Sequence, residues 1–132
     1  MIFNRKAQPA IRSLISETTV VSGGVRFREG LRIDGHVNGD IVAEPSARSL
    51  VVISEKARVR GKVNAGHVII NGEVVGPVVS TEMLELQPKA RVLGDVSYQV
   101  LEMHPGATID GELKPIKAAE PPPLKLAASN NA

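Results

Sequence analysis

A pentapeptide of the form Val/Ile-x-Gly-x-Val/Ile/Leu occurs six times, and it restricts the possible folds of this chain more than any other feature. The copies are Val21-Ser-Gly-Gly-Val25, Val37-Asn-Gly-Asp-Ile41, Val59-Arg-Gly-Lys-Val63, Val74-Val-Gly-Pro-Val78, Val92-Leu-Gly-Asp-Val96 and Ile109-Asp-Gly-Glu-Leu113. Their central glycines, at 23, 39, 61, 76, 94 and 111, follow one another at intervals of 16, 22, 15, 18 and 17 residues. A single pentapeptide of this kind carries no information, but six at near-even spacing mark an internal repeat.

Each copy is preceded by a second apolar landmark, four or six positions before its first branched residue: Ile15, Ile33, Ile53, Ile70, Leu86 and Met103. Two residues earlier stand Leu31, Val51, Val68, Leu84 and Leu101, with Ser13 replacing the apolar residue in the first copy. The unit therefore reads apolar-x-apolar, a short turn, apolar-x-Gly-x-apolar, and a second turn of variable length. Period-2 spacing in pieces this short and this β-branched predicts strands with one buried face.

A unit of about 17 residues cannot bury its own inward side chains, so copies must stack on one another. The expected fold is all-β: a single-domain β-helix of about six coils, with coils about 4.8 Å apart and a prism about 29 Å long. Composition agrees, because Phe3, Phe27 and Tyr98 are the only aromatic residues and the filling must be aliphatic. The glycines are expected at corners, where a bend or a positive φ is needed. The longest interval places residues 43–49, "AEPSARS", as an insertion looped out at one corner, with Pro45 unfit for a central ladder. Stacking also puts Val20, His36, Arg58, Glu73, Arg91 and Thr108 in one outer column, in which Arg58, Glu73 and Arg91 alternate in sign.

Three domains of use follow. Residues 1–13 read as a disordered N-terminal tail, residues 14–113 as the β-helix, and residues 114–132 as a disordered Pro/Ala-rich C-terminal tail. In that last tail "EPPPLKL" either docks a partner as polyproline II or is plain solvated chain. The chain has no cysteine, which excludes a disulfide framework and suits a reducing compartment. Its apolar runs are shorter than a membrane span and residues 1–20 lack a signal-peptide core, so the expected protein is soluble and not exported.

Charge is spread unevenly. Arg5, Lys6 and Arg12 make the first tail basic, and Lys114, Lys117 and Lys125 outweigh Glu120 in the last, leaving the middle mildly acidic within a net charge of +2. A nucleic-acid binder needs a basic folded surface or aromatic platforms, and neither is in the sequence. His36, His67 and His104 fall in three different columns and read as surface residues rather than metal ligands or an acid–base pair. Asp34, Asp40, Asp95 and Asp110 flank corner glycines and read as turn residues rather than calcium ligands. No catalytic, cofactor-binding or metal residue is assigned, and no cofactor, nucleotide or nucleic acid is expected.

"LRIDGHVNGDI" (31–41), followed by "VRGKV", "VIINGEVVGPV" and "ARVLGDV", resembles the bactofilins, bacterial proteins with a central right-handed β-helix between disordered tails. The resemblance spans residues 14–113. It implies a cytoskeletal role: nucleotide-independent self-assembly into non-polar filaments or sheets on the inner face of the cytoplasmic membrane, positioning cell-wall or morphogenesis proteins. A rival reading is a monomeric or small-oligomer adapter that binds one partner protein. A remoter one is a left-handed β-helix acyltransferase, whose repeats are near-strict hexapeptides, whereas here the coil length varies from 15 to 22 residues and no helix is evident.

Two groups of residues carry the expected function. At the C-terminal end, Leu101, Met103, Ile109 and Leu113 close the repeat with no evident cap, which makes them the expected end-to-end contact with another copy of the chain. "GATIDG", around Ile109, is similar to the terminal-coil segment in which the family carries a bulky apolar residue at the subunit contact. At the start, Met1, Ile2, Phe3, Arg5 and Lys6 combine apolar and basic side chains, and the resemblance marks them as membrane-targeting.

Overall fold

Strands form wherever the sequence sets branched aliphatic residues two apart, and they end at the glycines and turn residues between. The computed structural model describes residues 8–45 and 48–116. In chain order the strands are β1 (Ile11–Ile15), β2 (Val20–Ser22), β3 (Val25–Phe27), β4 (Glu29–Ile33), β5 (His36–Asn38), β6 (Ile41–Ala43), β7 (Ser49–Ile53) and β8 (Arg58–Arg60). They continue with β9 (Val63–Ile70), β10 (Glu73–Val75), β11 (Val78–Leu86), β12 (Arg91–Leu93), β13 (Val96–Met103), β14 (Thr108–Asp110) and β15 (Leu113–Pro115).

Every pairing among them is parallel and links one coil to the next. The short strands β2, β5, β8, β10, β12 and β14 make one stack of six. The other sheet runs β1-β4-β7-β9-β11-β13-β15, with β3 and β6 joining it through β9. The result is a parallel β-solenoid of about six coils, as the repeat predicts.

The register agrees with the sequence pattern column by column. Ile15, Ile33, Ile53, Ile70, Leu86 and Met103 are successive partners. So are Val21, Val37, Val59, Val74, Val92 and Ile109, and Val25, Ile41, Val63, Val78, Val96 and Leu113. These columns, apart from the exposed Met103 and Leu113 that end two of them, form the core with Leu31, Val51, Val68 and Leu84. Fully burying one such side chain contributes about 1.5–3 kcal/mol before entropy, so each coil gains by having a neighbour on both sides. The outer column Val20, His36, Arg58, Glu73, Arg91, Thr108 is also as expected, with Arg58 Nε 3.1 Å from Glu73 Oε1.

The structure departs from the expected unit at one corner. In the third, fourth and fifth units the second turn disappears, and β9, β11 and β13 run unbroken through it, with a register shift between Ser80 and Met83. Buried hydroxyls satisfy the backbone there: the Gly66 N–H donates to Ser49 Oγ at 2.8 Å and Ser80 Oγ donates to the Gly66 carbonyl at 2.9 Å. In the second unit the same corner is opened between β6 and β7, at the expected insertion. At the N-terminal end β1 begins at Ile11, ahead of residue 14, because a bulge between Ile11 and Ser13 hides the period. At the other end β15 reaches Pro115, which an edge strand tolerates.

The opposite corner is built from glycine. Gly61 and Gly76 have φ of 152° and 144°, a conformation that L side chains rarely adopt. The vertical fit is the stronger constraint. A Cβ on Gly39, Gly61, Gly76, Gly94 or Gly111 would stand 2.1–2.5 Å from the carbonyl oxygen of the glycine one coil earlier. The aspartates beside these glycines reach across coils: Asp40 Oδ1 accepts from the Lys62 N–H and Asp95 Oδ1 from the Glu112 N–H, both at 2.9 Å. That backbone hydrogen bond, with Lys114 assisting, holds the Asp95 carboxyl below its usual range.

One histidine is not where the sequence places it. His67 is buried on the outside of the sheet, in the column Leu50, His67, Met83, Val100, and Gln8 Nε2 donates to its Nδ1 at 2.8 Å. Burial pushes its pKa down, against the opposing pull of Glu85, Glu82 and Glu102. The folded state therefore binds this proton less readily than the unfolded chain does. Its contribution to stability is complete above the unfolded value of about 6.5 and is lost as pH falls below it. The midpoint of thermal unfolding is expected to drop between pH 7 and pH 5, and to drop less in His67→Gln, as followed by circular dichroism.

Candidate functional site

Solenoid ends are where backbone and core are left open. Strands β14 and β15 at one end, and β1 and β2 at the other, have a ladder partner on one side only. Unpaired strand edges of this kind are templates for further pairing unless they are covered.

The C-terminal end brings the four sequence-predicted interface residues together. Leu101 and Met103 lie on β13, Ile109 on β14 and Leu113 on β15, and each is the last member of an interior column. The residues one coil below them, Leu84, Leu86, Val92 and Val96, are at most 1% exposed, whereas Met103 is 43% and Leu113 46% exposed. Leu101 and Ile109 are half-buried against the core. The end is thus a slice through a core, with side chains shaped for a further layer. Tyr98, which pairs with Ser80 below it and Pro115 above it, adds an aromatic that the sequence reading left out.

The N-terminal end is also apolar, which the sequence reading left unassigned. Ile15, Val21 and Val25 are the first members of the same columns and pack only partly. Around them Ile11, Leu14 and Val20 are 44%, 58% and 62% exposed. Ser13 and the β1 bulge had obscured this end, because they break the period that reveals a buried face.

Met1, Ile2, Phe3, Arg5 and Lys6, the residues expected from the sequence to target a membrane, lie outside the described residues. The described chain begins at Gln8, against His67 on β9, so it enters from the side of the solenoid rather than from either end. Residues 117–132, with the polyproline segment, are likewise outside it.

Above the outer column of Glu85 and Glu102 lies a group that column reasoning missed. Ligand-type atoms of Glu85, Glu102 and His104 all fall within 4.8 Å of one another. His104 comes from the turn after β13, two residues past Glu102, and only its folded-back ring brings it to the pair. No vertical alignment of histidines would reveal it.

Residues 13–114 match a family model described as bactofilin, polymer-forming cytoskeletal. The chain is similar to bactofilin BacO of Myxococcus xanthus (strain DK1622), at 26% identity over 111 residues that cover 84% of this chain and 85% of BacO. Bactofilin BacP of the same organism is 27% identical over 101 residues, covering 76% of this chain and 40% of BacP. Among solved structures, the double helical filaments of Thermus thermophilus bactofilin, determined by cryo-EM, align with a TM-score of 0.70 at 27% identity, over 81% of this chain and 100% of that one. The cytoskeletal bactofilin BacA, determined by solid-state NMR, aligns with a TM-score of 0.67 at 31% identity, over 80% and 96%.

Proposed function

The chain belongs to the bactofilin family of polymer-forming cytoskeletal proteins, and from that premise we propose that it assembles end to end, without nucleotide, into non-polar filaments on the inner face of the cytoplasmic membrane, where they position cell-wall or morphogenesis proteins. The observation that carries assembly is the jump in exposure along each interior column, from 0% at Leu86 and Val96 to 43% and 46% at Met103 and Leu113. A second copy laid on that end restores the missing layer. Negative-stain microscopy and sedimentation of the purified chain test this directly. A species that stays monomeric at micromolar concentration would instead support the adapter reading. The acyltransferase reading draws no support from the family match.

Membrane attachment rests on the sequence of the first residues, Met1, Ile2, Phe3, Arg5 and Lys6. Ile2 and Phe3 would contribute a few kcal/mol by insertion, and Arg5 and Lys6 about 1 kcal/mol each near an anionic leaflet. One copy binds weakly, but a filament presents many copies, and avidity multiplies a marginal affinity by orders of magnitude. Deleting residues 2–6 is expected to abolish co-sedimentation with anionic liposomes while filaments persist. Undiminished pelleting of the truncated chain would move the anchor to Lys114, Lys117 and Lys125.

A further inference from the structure

Stacked coils place like residues over like, which is favourable for valine and unfavourable for glutamate. Glu85 on β11 and Glu102 on β13 are in-register partners on the outer surface, and among the described ladder positions this is the one that pairs two acidic residues. Elsewhere the surface avoids it: Glu73 lies between Arg58 and Arg91. Directly opposed like charges destabilise a sheet unless something cationic lies between them.

What lies there is the ring of His104. Its Nε2 is 3.3 Å from Glu85 Oε2 and 3.4 Å from Glu102 Oε2. The same nitrogen is shielded from solvent and makes no hydrogen bond of acceptable geometry. A charge-assisted N–H···O bond closes to about 2.7–2.9 Å, shorter than either separation. Two ligands on a tetrahedral zinc ion, with bonds of about 2.0–2.1 Å, stand about 3.3–3.4 Å apart. The two imidazole–carboxylate separations are those of donors around a shared ion, and the ligand atoms of all three residues lie within 4.8 Å of one another. The scaffold is fixed from both sides, since the His104 N–H donates to the Leu86 carbonyl at 2.9 Å and the His104 carbonyl accepts from the Ala107 N–H at 3.2 Å. Gln87 Nε2 donates to Glu85 Oε2 at 3.4 Å and helps to orient that carboxylate.

We propose that Glu85, Glu102 and His104 form a zinc site, with two carboxylate oxygens and one imidazole nitrogen as ligands and a fourth position open to water or to a donor from another molecule. An imidazole among so few oxygens selects a transition-type divalent ion over calcium or magnesium, which require more oxygen ligands or an octahedral shell. The site lies on the two C-terminal coils and does not depend on the assembly reading.

Equilibrium dialysis of the full chain, stripped with chelator and equilibrated with micromolar zinc sulfate at pH 7.5, tests the proposal by metal analysis. One zinc per chain is expected, undisturbed by millimolar magnesium. Affinity should fall at least tenfold in Glu102→Gln and in His104→Ala, and stay unchanged in His36→Ala. Glu102 is half-exposed, so the isosteric change to glutamine keeps the fold, which circular dichroism verifies. No uptake by the parent chain, or uptake undiminished in both Glu102→Gln and His104→Ala, overturns the assignment.

Discussion

Ile109→Arg or Leu113→Arg is expected to give a folded protein that no longer forms filaments. Both residues end interior columns whose previous members, Val92 and Val96, are 1% and 0% exposed. In a free chain the new guanidinium faces water, so the solenoid below it is undisturbed. In a joint between two ends the same group would be buried without a partner. An uncompensated buried charge costs about 3–5 kcal/mol, which weakens each joint by a factor of about 100 or more. The readouts are loss of the pelleted fraction and of filaments on the grid, with an unchanged circular dichroism spectrum. Filaments of normal spacing from either variant would exclude the C-terminal end as an interface.

The largest effect on stability is expected at the glycine corner. In Gly61→Ala the new Cβ meets the Gly39 carbonyl oxygen at 2.3 Å and its carbon at 2.5 Å, and in Gly76→Ala it meets the Gly61 carbonyl oxygen at 2.3 Å. Backbone cannot rotate away as a side chain would, so two coils must part and their hydrogen bonds lengthen. A loss above about 4 kcal/mol is expected, a size reserved for a few mechanisms of this kind. Gly23→Ala supplies the control. Gly23 has a positive φ of 124° but nothing within 4 Å of its added Cβ, so only the conformational cost of about 1–3 kcal/mol remains. Urea unfolding in the Ile109→Arg background compares the three without the stabilisation that assembly itself adds. Equal losses at Gly23 and Gly61 would mean that stacking is not the constraint.

The columns were legible because the fold is nearly one-dimensional: once a side-chain period of two and a coil of about 17 residues are recognised, every partner follows. Ile15 through Met103 and Val21 through Ile109 could be aligned without any knowledge of distance. What the alignment missed are the places where the chain leaves that lattice. The bulge in β1 shifted Ile11 out of period, and the continuous strands β9, β11 and β13 crossed a corner where a turn was expected. The burial of His67 depends on Gln8, 59 residues away and outside the repeat. The His104 cluster joins a vertical pair to a residue on a turn, a diagonal relation that no column comparison tests. The four C-terminal residues proposed as an interface were identifiable as the last of their columns, whereas the matching N-terminal surface was masked by Ser13.

The two corners have opposite histories available to them. Where glycine is stacked on glycine, any side chain collides with the coil beneath, so that edge can neither vary nor accept added residues. The corner between β6 and β7 already holds an insertion while β9, β11 and β13 pass straight through the same corner, and the register is intact on either side. Lineages that acquire a new binding loop, or engineers who graft one, have there a seam along which the rod can be decorated without altering how its coils nest.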